Sequence, residues 1–126
     1  MNTAHRSDPF RYTLIDPQHC LITITQINDS QISSKAAEAK LLEISKSGCT
    51  IGSGLNLYAN DNNISLKLEV QLNEDLLEFQ GSVRLQQTWE DSQFKYVIDL
   101  DIRESDKEKI LIELRTLAAQ RKIIVY

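Results

Sequence analysis

The sequence has little of what compact catalytic and metal-binding motifs are built from: four glycines, two prolines, two cysteines and two histidines in 126 residues. No GxxxxGK or GxGxxG loop occurs, which excludes the common nucleotide-hydrolysing and dinucleotide-binding designs. Cys20 and Cys49 form no CxxC and stand near no histidine cluster at metal-ligand spacing, so neither a zinc site nor a redox motif is expected and both thiols read as reduced. His19 directly precedes Cys20, but strand neighbours point to opposite faces, and the two make a poor nucleophile–base pair. No apolar run approaches the roughly 20 residues of a membrane helix. Residues 1–5 lack the basic start and apolar middle of a secretion signal, so a cytoplasmic protein with no membrane span is expected. Positive charge is also short. Fourteen Lys and Arg against 18 Asp and Glu leave a net charge of −4, which disfavours attraction to a nucleic-acid polymer or an anionic lipid surface. Any anionic ligand has to be held locally.

What remains is ordinary globular material, 41% hydrophobic and 25% charged, of a length that builds one domain. Residues 1–12 are polar and contain Pro9, and read as a flexible tail leading into a domain over residues 13–126. From Cys20 to Ile27 the chain alternates β-branched residues, predicting a long strand that ends at the turn signal Asn28-Asp29-Ser30. Residues 37–45 (AEAKLLEIS) return apolar side chains at strand spacing, although their Ala, Glu and Lys content favours helix. Ser47-Gly48 turns into a short strand around Cys49, Thr50 and Ile51, and a polar loop over residues 52–63 follows. The next alternation runs through Ile64, Leu66, Leu68 and Val70; another runs through Leu77, Phe79, Gly81, Val83 and Leu85. Phe94, Tyr96, Ile98, Leu100 and Ile102 repeat it and complete a second hairpin. Half-buried antiparallel strands in this succession predict a mostly β fold, a small barrel or sandwich.

The period then changes. Ser105 with Glu108 reads as a capping box, and Ile110, Leu111, Leu114, Leu117 and Ala118 recur along one stripe, predicting a helix near residues 105–121 with Arg115, Arg121 and Lys122 toward its end. Residues 122–126 (KIIVY) are apolar and β-prone, suited to docking on the barrel or on a second subunit. Trp89, beside a polar turn, reads as a partial core residue. Asp99 and Asp101 share the outer face of their strand and read as solvent charges. No nucleophile, base and orienting group come together in the sequence, so no enzyme is expected and no cofactor or metal is implied.

One local pattern carries a functional expectation: Glu43-x-Ser45-x-x-Gly48 at the end of a strand, preceded by arginines Arg6 and Arg11 in the tail. In order and spacing this resembles the PilZ domain family, whose signature is RxxxR followed twenty to thirty residues later by (D/N)xSxxG. Phe79-Gln80-Gly81-Ser82-Val83 and Tyr96-Val97-Ile98-Asp99-Leu100 resemble the family's later strands, so the likeness runs from about Arg6 to Ala119. Three positions depart from it. The arginines here are spaced RxxxxR, Glu43 stands where the family has Asp or Asn, and Val97 stands at a common glycine position.

The resemblance implies a six-stranded antiparallel β-barrel with a C-terminal helix, and a receptor for the bacterial second messenger cyclic di-GMP. It further implies that Arg6 and Arg11 grip phosphates and stack on guanine while Glu43, Ser45 and Gly48 complete the site. A guanidinium does offer a planar fork to phosphate and a cationic face to a base, and a carboxylate accepts from the guanine N1–H and N2–H edge. Two readings stand side by side. The domain is a receptor relaying cyclic di-GMP to a protein partner, or a degenerate PilZ domain without ligand that works as an interaction module or homodimer.

Overall fold

A computed structural model describes residues 11–125; Arg6 of the expected tail lies outside the described residues, whereas Arg11 lies within them. Eight strands and one helix follow one another: β1 (Tyr12–Ile27), β2 (Ser30–Gln31), β3 (Ala37–Ile44), β4 (Gly48–Ser53), β5 (Ile64–Gln71), β6 (Leu76–Trp89), β7 (Gln93–Asp101), α1 (Glu104–Ala119) and β8 (Ile123–Val125). All pairings are antiparallel. The order β1-β3-β4-β7-β6-β5 returns to β1 and closes a six-stranded barrel, with β2 and β8 as short additions beside β1. The expected mostly β barrel with a terminal helix is the fold observed.

Closure follows from the alternation. On β5 every second residue, Ile64 to Val70, is buried while Ser65, Lys67 and Glu69 face outward. The same inward rows on the other strands supply Ile22, Leu41, Ile51, Tyr96 and Ile98, all fully buried in one continuous core. Burial of such side chains contributes about 1.5–3 kcal/mol each and is the main force closing the sheet on itself. The helix-prone residues of β3 are held as strand because β1 and β4 pair with both edges, and tertiary pairing overrides local propensity.

β1 is longer than its alternation predicts. It begins at Tyr12, inside the expected tail, and runs through a register shift between Thr13 and Gln18 that leaves Ile15, Asp16 and Pro17 exposed. That bulge hides the first half of the strand from a periodicity reading. Beyond it β1 changes neighbours: Tyr12 to Leu14 pair with β8, whereas Cys20 to Ile27 pair with β5. Ile123–Val125 of the KIIVY segment therefore dock on the barrel as β8.

Two side-chain networks seal the barrel ends. At one, the loop over residues 54–63 is tied down by the Tyr96 hydroxyl, which donates to the Leu55 carbonyl and accepts from the Leu57 amide at 3.0 Å, and by Gln86, which accepts from Ala59 at 2.7 Å. At the other, α1 buries Ile110, Leu114 and Leu117. It is fastened to the β5–β6 turn by Asn73, which donates to Glu113 Oε1 at 2.9 Å, and by a Lys109–Asp75 ion pair.

The helix ends differ from expectation. α1 starts at Glu104 with Arg103 as its N-cap and no side-chain cap bond, so Ser105 lies inside the first turn and the capping box does not form. A cap needs its residue in extended conformation, and Arg103 occupies that position with ψ 152. Glu104 and Asp106 still place negative charge at the positive end of the helix dipole. No basic residue stands in the last turn; Arg121 and Lys122 lie beyond it, and Ala118 faces solvent rather than the core.

Candidate functional site

The predicted residues converge at the barrel end that carries α1. Register places Tyr12 opposite Ile44 and Thr13 opposite Glu43, so Arg11, one residue earlier, stands beside Ser45 at the edge of the turn into β4. Gly48, which opens β4, pairs with Asp99 of β7, and Ser82 of β6 pairs with Asp99 in turn. Gly48, Asp99 and Ser82 thus form one row across β4, β7 and β6, with Ser45, buried in the turn before Gly48, and Arg11, exposed just ahead of Tyr12, toward its β1–β3 end. Thr13, Glu43, Thr50 and Val97 form the row above it. Arg11, Glu43, Ser45 and Gly48 are brought together; Arg6 lies outside the described residues.

Glu43, Ser45 and Gly48 each have an internal role. Glu43 is half-buried and accepts from two hydroxyls, Thr13 Oγ1 at 3.1 Å and Thr50 Oγ1 at 3.4 Å, which fix its carboxylate across three strands. Ser45 is buried and shapes the turn: its amide donates to the Gly48 carbonyl at 2.9 Å, its hydroxyl donates to the same oxygen at 3.2 Å, and the Ser47 amide approaches that hydroxyl at 3.5 Å. Gly48 is required by packing, since a Cβ there would stand 2.8 Å from the Ile98 carbonyl oxygen. Gly81 presses on β7 from the other side, where a Cβ would meet the Asp99 carbonyl oxygen at 2.5 Å. The two glycines allow β4 and β6 to close tightly on β7 beside Asp99.

The sequence pattern marks Asp99 only as a solvent charge and does not mark Arg84 at all. Asp99 faces outward as expected, yet it is no isolated solvent charge: Arg84 grips it with a two-pronged fork, Nε to Oδ2 at 3.2 Å and Nη2 to Oδ1. Arg84 sits where the β6–β7 register slips between Val83 and Leu85, and this bulge aims it across at Asp99. Nothing in a period-two pattern marks such a slip. Arg11 lies ahead of β1, Lys46 in the β3–β4 turn and Arg84 on β6, in a chain whose net charge is −4.

Elsewhere on the outer wall Trp89 is half-buried over Gly52, where a Cβ would stand 2.2 Å from its ring, and the Lys95 ammonium lies 5.9 Å from the ring centroid. Trp89 thus packs over Gly52 on the outside of the wall and takes no part in the core, a correction to its reading as a partial core residue. An open polar depression lined by Gln18, Gln71, Asn73, Glu74, Gln120 and Lys122 follows the gap where β1 leaves β5 for β8. Cys20 and Cys49 are both buried and unpaired. Burial pushes the Cys20 thiol up to about 12; Cys49 is raised too, by burial first and by Cys20 second, so both are protonated and inert near neutral pH. Among the described residues no group of three or more His, Cys, Asp or Glu side chains could hold a metal ion, and no helix is long and apolar enough to cross a membrane.

Comparison of the chain with protein-family models, with curated proteins and with solved structures finds no match.

Proposed function

We propose that the barrel is a noncatalytic receptor of the PilZ type that takes cyclic di-GMP on the outer wall of β1, β3, β4 and β7. The observation that supports this reading is the placement of Arg11: it immediately precedes β1, whose Tyr12 pairs with Ile44 and whose Thr13 pairs with Glu43, next to the Ser45–Gly48 turn. A compact dianion with two guanines needs cations for its phosphates and an acceptor for a guanine edge, and this wall carries both. Tail arginine Arg6 would join from outside the described residues. In this reading the ligand's order is relayed to a protein partner through the start of β1, which also carries β8.

The test is calorimetric titration of the protein with cyclic di-GMP at near-physiological salt, with GTP as control. A dissociation constant in the micromolar range or tighter, about −8 kcal/mol or better, is expected. Arg11→Ala is expected to remove most of the binding while the fold survives, because Arg11 is exposed and precedes the first strand. Absence of heat, with a melting temperature unchanged at excess nucleotide, retires the receptor reading.

One observation favours the second reading, a degenerate domain serving as an interaction module: both Glu43 oxygens are already engaged by Thr13 and Thr50. A carboxylate held that way has a structural reason to be present without any ligand. Titration separates the two readings directly.

A further inference from the structure

We propose that the open depression beside the start of β8 is a binding site for a small zwitterion, a free amino acid with a polar side chain, held between Glu74 and Lys122. The site is separate from the wall that carries Glu43 and Gly48 and does not depend on the receptor reading.

The depression exists because β1 changes neighbours. Its pairing with β5 stops at Cys20 and Val70, and its pairing with β8 starts only at Leu14 and Ile123. The gap between them is a depression of about 470 Å³, within the size range of small-molecule sites. Three segments line it: Gln18 of β1, residues 71–74 where β5 turns toward β6, and Gln120 with Lys122 after α1.

The backbone there is fixed while the polar side chains are left over. Gln71 Nε2 donates to the carbonyls of Asn73 at 3.1 Å and Glu74 at 2.8 Å, and Asn73 Nδ2 donates to Glu113 Oε1 at 2.9 Å, so the turn that carries Glu74 is tied to α1. The Lys122 amide donates to the Leu117 carbonyl and its carbonyl accepts from the Ile15 amide, each at 2.9 Å. In contrast, the side chains of Gln18, Glu74, Gln120 and Lys122 have no hydrogen bond or ion pair among the described residues. Nearby Lys109 spends its charge on Asp75 and Glu113 instead. One carboxylate and one ammonium therefore line the same depression on preorganised backbone, paired neither with each other nor with a neighbour.

This lining selects by charge. Glu74 opposes a phosphate, and Lys122 opposes a metal cation. Leu72, the apolar member of the lining, is itself buried, so an apolar ligand finds little to cover. A molecule with an ammonium for Glu74 and a carboxylate for Lys122 satisfies both, and the carboxamides of Gln18 and Gln120 offer donors and acceptors to a polar side chain.

The experiment follows the backbone amides of the isotope-labelled full chain by nuclear magnetic resonance, at about pH 6.5 where an α-amino group is charged. The probes are L-glutamine, N-acetyl-L-glutamine, which lacks the ammonium, and L-glutamine amide, which lacks the carboxylate. Shifts are expected at Gln18, Asn73, Glu74, Gln120 and Lys122, with a dissociation constant for L-glutamine of about 1 mM, ordinary for a small molecule in an open site. Each analogue should bind wild type about fivefold more weakly, the size of an exposed ion pair. Glu74→Gln should bind L-glutamine and its N-acetyl form alike, and Lys122→Gln should bind L-glutamine and its amide alike. Both variants should melt with wild type when no ligand is present, because neither side chain has a partner to lose. The analogue comparison on wild type stands without either variant. No shifts at about tenfold the expected dissociation constant, shifts confined to another part of the barrel, or equal binding of all the probes to wild type would overturn the proposal.

Discussion

Glu43 is the side chain on which structural and binding roles compete most directly. Its carboxylate is one methylene longer than the Asp of the family pattern, and that length lets it reach Thr13 on β1 and Thr50 on β4 together. Glu43→Asp should withdraw the carboxylate from at least one hydroxyl and cost about 1 kcal/mol, read as a lower urea midpoint at constant slope. In the receptor reading the same substitution leaves cyclic di-GMP binding equal or tighter, because a freed, shorter carboxylate matches the family position. Loss of stability with loss of binding would assign Glu43 to the scaffold of the site. The buried thiols make a separate prediction. Unfolded cysteines titrate near pH 8.5–9, whereas burial raises both folded thiols, Cys20 to about 12. Between those values the unfolded chain binds fewer protons than the folded one, so stability falls as pH rises. The thiol contribution is complete below pH 8 and is lost above pH 9, at no more than about 1.4 kcal/mol per pH unit for each thiol. Urea midpoints measured from pH 7 to pH 10.5 check this, and Cys49→Ala should make the decline shallower.

At the level of elements, α1 ends in a way its sequence does not announce. The Lys122 amide donates to the Leu117 carbonyl at 2.9 Å and the Arg121 amide to Ala118 at 3.0 Å, the paired bonds of a Schellman termination. That motif places Arg121 at φ 59, a left-handed conformation that glycine adopts freely and that strains a side chain. Arg121→Gly should therefore raise stability by about 0.5–1 kcal/mol, seen as a higher urea midpoint with α1 helicity retained by circular dichroism. The missing glycine is also why the apolar stripe predicts a helix running on to residue 121, two residues past its end at Ala119. Its start was misplaced for a related reason, since S-x-x-E is a capping box only if the serine backbone is extended, and here Arg103 takes that position. Strands β5 and β7 were legible almost to the residue because each buries one face and wets the other. β1 was half legible: the alternation from Cys20 onward was plain, but the bulge around Asp16 and Pro17 breaks the period before it. The site divides the same way. Glu43, Ser45 and Gly48 are close in sequence and could be read as a group, while Arg84 and Asp99 meet through a register slip between two strands, a geometry that composition and spacing do not encode.

Across the whole molecule, closure and sealing are different tasks assigned to different parts of the chain. The cycle β1-β3-β4-β7-β6-β5 closes without β8 or α1, so hydrogen-bonded closure is complete before the last twenty or so residues are added. Sealing is not: Ile110, Leu114 and Leu117 fill the end of the core, and Ile123 is buried where β8 lies along β1. Two truncations separate these contributions. Ending the chain at Lys122 removes the β8 pairing and one buried isoleucine, and should cost about 2–5 kcal/mol while leaving a single cooperative thermal transition, since the barrel cycle is intact. Ending it at Arg103 removes the three buried apolar side chains of α1 together with β8 and its buried Ile123, and uncovers the apolar end of the barrel. Each such side chain is worth about 2–5 kcal/mol by the cost of truncation, and their sum approaches the entire stability of a typical domain of about 5–15 kcal/mol. The shorter chain should therefore show no cooperative transition and should bind a hydrophobic dye. Calorimetry on the two truncated chains decides the matter, and a cooperative transition in the chain ending at Arg103 would mean that the strand cycle holds its own core and that the helix is an accessory to the site end rather than its seal.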